Sequence, residues 1–540
     1  MSQPFKAACS DIFFAALALF CFSMAVFMAK ADRTTLPATD AATHAALSMS
    51  ATSNGLIPKL PLEQESLGGH WGKNGYNDHP FVFFYLSGWV MRVFGPSAWS
   101  AKLVPCLMSV VCVMLTVWLG RILGSALLGI FSGLVLVLTR EFIINGLNGH
   151  LDNVMSVFIL GSFILWAKRK PHLAGVCAGL GMWFKTPVAL LLFPVMLLFH
   201  LFKRELRSKF KVIAVSFLIA IATGSLVWVA TGLIGGWNLV ADYWLRQLWG
   251  TAVGGRGTVQ AGDSFIFFGI FKSHYFPWNI LLLFSLAWSV WKARWREETF
   301  LIPAFAAGIV VVVISSISFK YGHYFTPAYP FLAILAARSL AAWLSAVEAG
   351  VYRGFTVFVM LFITMLLCTP VSTAPESFPA LKKFMALIIH EGLNEGGKPE
   401  INASKCEEKV LYVDGYQPYG GIADYTALIN FYTARNVISS NCADAAMLAK
   451  RLDIGWIIVS GQNFLTCLDK EARETFSNIF LFGNQFLLSR HGKARPNLPD
   501  LDDKLSVNDL TPSEFELQAV SECGTASLPK DRYHAYLGDK

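Results

Sequence analysis

From Lys30 to Pro80 the chain reads KADRTTLPATDAATHAALSMSATSNGLIPKLPLEQESLGGHWGKNGYNDHP, the one long polar segment in an otherwise hydrophobic first half. It follows directly on Asp11 to Ala29, an apolar run with Lys6 as the only basic residue before it. A polar stretch placed there reads as a loop outside the bilayer, with Asp40 in TDAATH and the cluster Tyr76-Asn77-Asp78-His79-Pro80 as its candidate chemistry. Ala29-Lys30-Ala31 also has the small-x-small form of a signal-peptidase site, and with cleavage the loop still ends up outside.

Working outward, the 540 residues are 54% hydrophobic and only 15% charged, which excludes an ordinary soluble domain. About eleven apolar runs before Ala374 approach the ~20 residues that a membrane span requires. After Asp11 to Ala29 they are Ala101 to Leu119, Ala126 to Thr139, Val154 to Trp166, Leu173 to Phe184, Val188 to Phe202 and Val212 to Leu233. Phe276 to Val290, Leu301 to Ile317, Tyr324 to Leu344 and Gly354 to Leu367 complete the set. Phe81 to Phe94 and Phe265 to Tyr275 are aromatic but short, and suit helices lying along the interface.

The net charge of +8 does not point to nucleic acid, because its basic residues sit in short loops between apolar runs. Lys168-Arg169-Lys170, Lys203-Arg204 with Arg207, Lys209 and Lys211, and Lys292 with Arg294 and Arg296 mark the cytoplasmic side. The N-terminus then faces inward and the Lys30 to Pro80 loop outward. A second outer loop runs from Gly235 to Ser264, rich in glycine around Arg256. An odd number of spans puts the polar tail on the outer side too.

That tail, residues 374–540, alternates helical and strand patterns: Phe378 to His390 and Ala423 to Ala434 are helical, while Val410 to Val413, Trp456 to Ser460 and Ile479 to Phe482 read as strands. The expectation is a small α/β domain whose end, from Lys493, is loosely ordered. Cys406, Cys442, Cys467 and Cys523 would allow two disulfides in an oxidising compartment, with three pairings open. The other cysteines lie in or beside apolar runs without metal spacing, and no internal repeat is visible.

Charge inside or beside a membrane is costly, so ionisable residues at the outer ends of spans are informative. Asp40, Asp78, Asp152, Lys185, Arg256, Lys272, His274, Lys320, His323 and Tyr324 all fall on the outer side. A carboxylate can serve as general base on an acceptor hydroxyl, while lysine and arginine stabilise a phosphate that gains charge as it leaves. Each residue also has a structural reading: Asp40 and Asp152 as helix caps, Asp78 as turn chemistry, Lys185 and Lys320 as snorkelling cations, Lys272 and His274 as interfacial anchors.

In order, the early outer Asp, LIPKL, Asn74-Gly75, the Asp-His-Pro motif with its aromatic helix, SAWSAKLVP, LDNVM, FKTPVALLLFP and KYGHYFTPAYPFLAILAA resemble a known family. They are similar to the lipid-carrier-dependent GT-C glycosyltransferases, which include lipid A aminoarabinose transferases, protein O-mannosyltransferases and galacturonosyltransferases of the lipopolysaccharide core. The resemblance covers roughly Asp11 to Leu340.

It implies a GT-C membrane domain over residues 1–373 with its catalytic loop at 30–80, and a periplasmic α/β domain over 374–540, in the cell inner membrane. It makes Asp40 the expected catalytic base, with Asp78 and Asp152 as further catalytic carboxylates, and His79, Lys185, Arg256, Lys320, His323 and Tyr324 as the groups holding the donor phosphate. Glu63 or Glu65 would replace Asp40 as base under a different alignment, and His79 stands where the aminoarabinose transferases carry lysine. The donor would be a sugar on a polyprenyl phosphate such as undecaprenyl phosphate, the acceptor a lipid, glycan or protein. No cofactor is required; the superfamily admits a divalent metal, but no ligand cluster here demands one. The rival reading is a transporter or flippase of lipid-linked sugars, which often shows repeated halves.

Overall fold

The computed structural model describes residues 16–28, 40–51, 78–95, 97–185, 187–253, 266–273, 275–318, 321–345, 409–413, 437–440, 442–451, 454–460, 467–476, 478–482 and 485–490. The expected elements at Gly354 to Leu367, Phe378 to His390 and Ala423 to Ala434 lie outside these residues, as do Glu63, Glu65, Arg256, His274, Lys320, Cys406, Cys523 and the end of the chain from Lys493. The backbone falls into two compact units: Met1–Ala31, Asn77–Phe83 and Lys102–Thr373 form one, and Asp32–Tyr76, Phe84–Ala101 and Ala374–Lys540 the other.

Apolar helices dominate the chain as far as residue 345. In order they are α1 (Ala16–Met28), α2 (Asp40–Ala51), α3 (Val82–Phe94), α4 (Ala98–Leu123), α5 (Ala126–Val137), α6 (Arg140–Leu147), α7 (Leu151–Ala167), α8 (Pro171–Gly181), α9 (Leu192–Phe202) and α10 (Leu206–Gly235). Then come α11 (Trp237–Asp242), α12 (Gly250–Val253), α13 (Ile266–Ser273), α14 (Trp278–Trp291), α15 (Glu298–Ser316) and α16 (Tyr329–Ser345). Among the described residues four helices are long and apolar enough to cross a membrane: Ala98–Leu123, Leu206–Gly235, Glu298–Ser316 and Gly322–Trp343. The pair α5 and α6, bent by 62° at its break, makes a fifth if counted as one span. The chain is a membrane protein, and it also has shorter apolar helices, such as Leu151–Ala167 and Trp278–Trp291.

An apolar solvent leaves a hydroxyl nothing to bond except its own helix. Ser109, Thr116, Ser132, Thr139, Ser156 and Thr231 each donate to the carbonyl four residues earlier, at 2.5–2.8 Å. Small residues let the backbones close up: a Cβ on Gly179 would stand 2.5 Å from the carbonyl oxygen of Ala220, and one on Gly175 would collide with that of Ser216, so α8 and α10 pack backbone to backbone along a Gly-xxx-Gly stripe.

Two segments read from the sequence as loops differ from that reading. The polar loop contains a regular helix, α2, whose residues from Ala41 to Leu47 are buried, because the alanines of AATHAALSMSA are strong helix formers. In its own unit, His44 of α2 packs against Phe84 at 5.6 Å between ring centroids. The second loop is likewise structured up to Val253, as α11, a π-helical segment Tyr243–Trp249 and α12.

In the tail, β1 (Lys409–Val413), β2 (Val437–Ser440), β3 (Ile454–Ser460), β4 (Asn478–Phe482) and β5 (Gln485–Ser489) form one mixed sheet in the order β2-β1-β3-β5-β4. β1 runs parallel to both neighbours, and β5 antiparallel to both of its own. Strand alternation puts Leu411, Val413, Ile457, Val459 and Leu488 into one core with Ala445, Leu448 and Ala449 of α17 (Cys442–Ala449) and Ala472 of α18 (Lys470–Glu474). The strands expected at 410–413, 456–460 and 479–482 are all present.

Candidate active site

Several buried polar residues of the first unit lie where helices begin, end or bend. The bend between α5 and α6 brings Glu141 and Asn145 into the interior, both buried. Asn145 Nδ2 donates to Thr326 Oγ1 at 2.8 Å, and Thr326 donates to the carbonyl oxygen of His323 at 2.6 Å. This ties the 3-10 turn Gly322–Ala328 to α6 and fixes the backbone that carries His323 and Tyr324.

Asp152 lies in the first turn of α7, where the helix dipole favours an anion. The neighbouring Asn153 anchors that turn, donating to Ser109 Oγ at 2.7 Å and to the carbonyl oxygen of Phe142 at 3.3 Å. Lys185 follows the end of α8 in WFKTP and reaches Asp152 Oδ2 at 2.6 Å, with both side chains almost wholly buried. The two residues expected to work separately, one as carboxylate and one as cation, are joined in a sealed ion pair. Lys185 Nζ also stands 5.1 Å from the centre of the Tyr324 ring, a cation–π contact. Tyr324 meets His323 edge-on at 4.7 Å, and His323 stacks on His150 at 4.2 Å.

A second ionic group forms around Arg246 in the π-helical segment. Its Nη2 donates to Asp78 Oδ1 at 2.5 Å, and its Nε to Asp242 Oδ2 and Oδ1 at 3.0 and 3.2 Å. Burial alone would push the guanidinium down, but the charge of Asp78 and the hydrogen bonds to Asp78 and Asp242 outweigh it and raise the pKa above its usual value, so Arg246 stays cationic.

Tyr243 connects the two groups. It is fully buried, packs tilted against Trp228 with ring centroids 4.1 Å apart, and donates its hydroxyl to the carbonyl oxygen of Lys185 at 2.9 Å. Burial, and then the charge of Asp78, push its phenol up, so it serves as a neutral donor.

Of the residues expected from sequence, the structure brings together Asp152, Lys185, His323 and Tyr324, and pairs Asp78 with Arg246. His79 follows Asp78 and is half-buried; Asp40 opens α2 and is exposed; Lys272 lies exposed in the last turn of α13. Arg246, Asp242 and Tyr243 escaped the sequence reading, which favoured Arg256 further along the same loop. The signal was the i, i+4 pair Asp242 and Arg246 inside an aromatic segment, WNLVADYWLRQLW.

Residues 78–228, which contain Asp78, Asp152 and Lys185, match the family described as dolichyl-phosphate-mannose-protein mannosyltransferase. The chain is 26% identical over 281 residues to an uncharacterised protein of Aquifex aeolicus, covering 49% of this chain and 53% of that protein. It thus spans about half the length of the curated relative it matches. Among solved structures it is similar to ArnT from Cupriavidus metallidurans bound to undecaprenyl phosphate, with a TM-score of 0.64 and 14% identity over 89% of this chain and 99% of that one. It is also similar to the archaeal oligosaccharyltransferase AglB from Archaeoglobus fulgidus in complex with an inhibitory peptide and a dolichol-phosphate, with a TM-score of 0.54 and 11% identity over 90% of this chain and 75% of that one. The chain has the fold of the GT-C glycosyltransferases.

Proposed function

We propose that this chain is an integral membrane glycosyltransferase that takes one monosaccharide from a polyprenyl phosphate, such as undecaprenyl phosphate, and transfers it to an acceptor in the cell envelope. The observation that carries this reading is the pairing of a cation with a carboxylate at two linked points, Lys185 with Asp152 and Arg246 with Asp78, where apolar helices break. A departing lipid phosphate needs fixed positive charge and, at neutral pH, no proton, whereas the attacking hydroxyl or phosphate needs only one carboxylate as base. In this reading Arg246, His79, Arg256, Lys320, His323 and Tyr324 hold the donor phosphate; Lys185, sealed on Asp152, positions Tyr324 through its cation–π contact; and Asp40 takes the acceptor proton in an inverting displacement.

The basic clusters at Lys168 to Lys170, Lys203 to Lys211 and Lys292 to Arg296 support a cytoplasmic N-terminus and a periplasmic site and tail in a bacterial inner membrane. The disulfide at Cys467 suits such an oxidising compartment. Lipid A, lipopolysaccharide core, another envelope glycan or a protein would serve as acceptor.

Membranes containing the chain are expected to transfer label from a polyprenyl-phosphate sugar, and Asp40→Asn to abolish transfer at unchanged protein abundance. Full activity in Asp40→Asn would remove Asp40 as base. Loss of a sugar from the envelope lipids and glycans of a deletion strain, read by mass spectrometry, names donor and acceptor together.

A further inference from the structure

Arg246 holds two carboxylates that differ in kind. Asp242 lies one turn earlier on the same helical stretch, has a side chain 41% exposed and moves with Arg246, whereas Asp78 is 168 residues away in sequence with a side chain only 6% exposed. One guanidinium serves two carboxylates, so an incoming phosphate has to compete with a carboxylate for its donors.

Carboxylate and phosphate oxygens are interchangeable acceptors for a guanidinium fork. Exchanging one for the other at Nη2 keeps the hydrogen-bond count and needs no further desolvation of the arginine. Asp242 shares its helical stretch with Arg246 and stays beside it, whereas Asp78 belongs to the separate turn that precedes α3, so its backbone can move independently of the arginine. The π-helical backbone stays anchored meanwhile by Tyr243, bonded to Lys185 and packed against Trp228.

We propose that the Asp78–Arg246 ion pair is a latch that the carrier phosphate opens: the phosphate oxygen replaces Asp78 Oδ1 on Arg246 Nη2, so Asp78 sets the affinity for the carrier by competing with it. This rests on the reading of the chain as a polyprenyl-phosphate enzyme. It assigns Asp78 a role distinct from that of a base: it keeps a half-buried cation paired between turnovers and sets a threshold for anions that bind less well than the carrier. A latch closed about nine-tenths of the time weakens apparent affinity about tenfold.

The test is binding of undecaprenyl phosphate to the purified full chain in nanodiscs. Asp78→Asn is expected to bind about tenfold more tightly than the wild type, and Asp242→Asn to differ by less than about threefold. In an Arg246→Gln background the gain from Asp78→Asn should vanish, because the competition needs the arginine. Arg246→Lys, which keeps the charge and loses the fork, should shrink the gain and covers the case in which Arg246→Gln does not fold. Binding of the wild type with no tightening in Asp78→Asn would overturn the latch while leaving the carrier reading intact. The same tightening in the Arg246→Gln or Arg246→Lys background would overturn it as well, by showing simple charge repulsion. Absence of binding in every form would overturn the carrier reading and the latch with it.

Discussion

Two ion pairs of the first unit, Asp152–Lys185 and Asp78–Arg246, are alike in distance and differ in almost every other physical respect. Asp152, in the first turn of α7, and Lys185, just past the end of α8, are 33 residues apart, have side-chain exposures of 2% and 8%, and are braced by Asn153 and Tyr243. Asp78 and Arg246 come from segments outside the long spans, and Arg246, at 17% exposure, divides its donors between two carboxylates. A sealed pair has no alternative partner, so its strength becomes rigidity. A shared, partly open cation can change partners, so its strength becomes selectivity. The first organises the site, and the second meets the ligand.

Breaking the sealed pair gives the largest expected effect. Lys185→Met leaves Asp152 buried without its cation and should cost about 3–5 kcal/mol of stability, read as a fall in thermal denaturation temperature and in membrane abundance. Adding Asp152→Asn should recover most of that loss, since the penalty lies in the orphaned charge rather than in the absent bond. If Lys185→Met were as stable as the wild type, the pair would not be sealed and the contrast would fail. Asp78→Asn should cost much less, about 1 kcal/mol, because Arg246 keeps Asp242 and some access to water. A larger loss there than in Lys185→Met would reverse the assignment of the two roles.

Much of this arrangement was legible from sidedness. Asp152, Lys185, His323 and Tyr324 all sit at ends of apolar runs away from the basic loops, and the structure joins them. The pairing itself was not legible, since nothing in LDNVM or FKTP says that two oppositely charged residues 33 positions apart will meet. Arg246 was obscured by the glycines after Trp249, which made the whole loop look irregular, although Trp237 to Trp249 carries helical spacing and an i, i+4 ion pair. In the tail, β2 as VISS is too short and polar to stand out. Of the antiparallel pair β4 and β5, in which Phe482 stands opposite Gln485, only the first strand, Ile479 to Phe482, was read from the sequence. α2 was hidden by its setting: a helix rich in alanine, serine and threonine looks polar beside membrane spans, yet its buried face runs from Ala41 to Leu47.

The most direct measurement is sugar transfer from a purified polyprenyl-phosphate sugar, comparing membranes that hold equal amounts of the wild type and of Arg246→Gln. Transfer by the wild type and a fall of at least about a hundredfold in the variant are expected, the order of effect of removing a positioned charge that stabilises the leaving group. Equal transfer by both would contradict the placing of the donor phosphate at Arg246, and no transfer by the wild type from any such donor would contradict the enzyme itself.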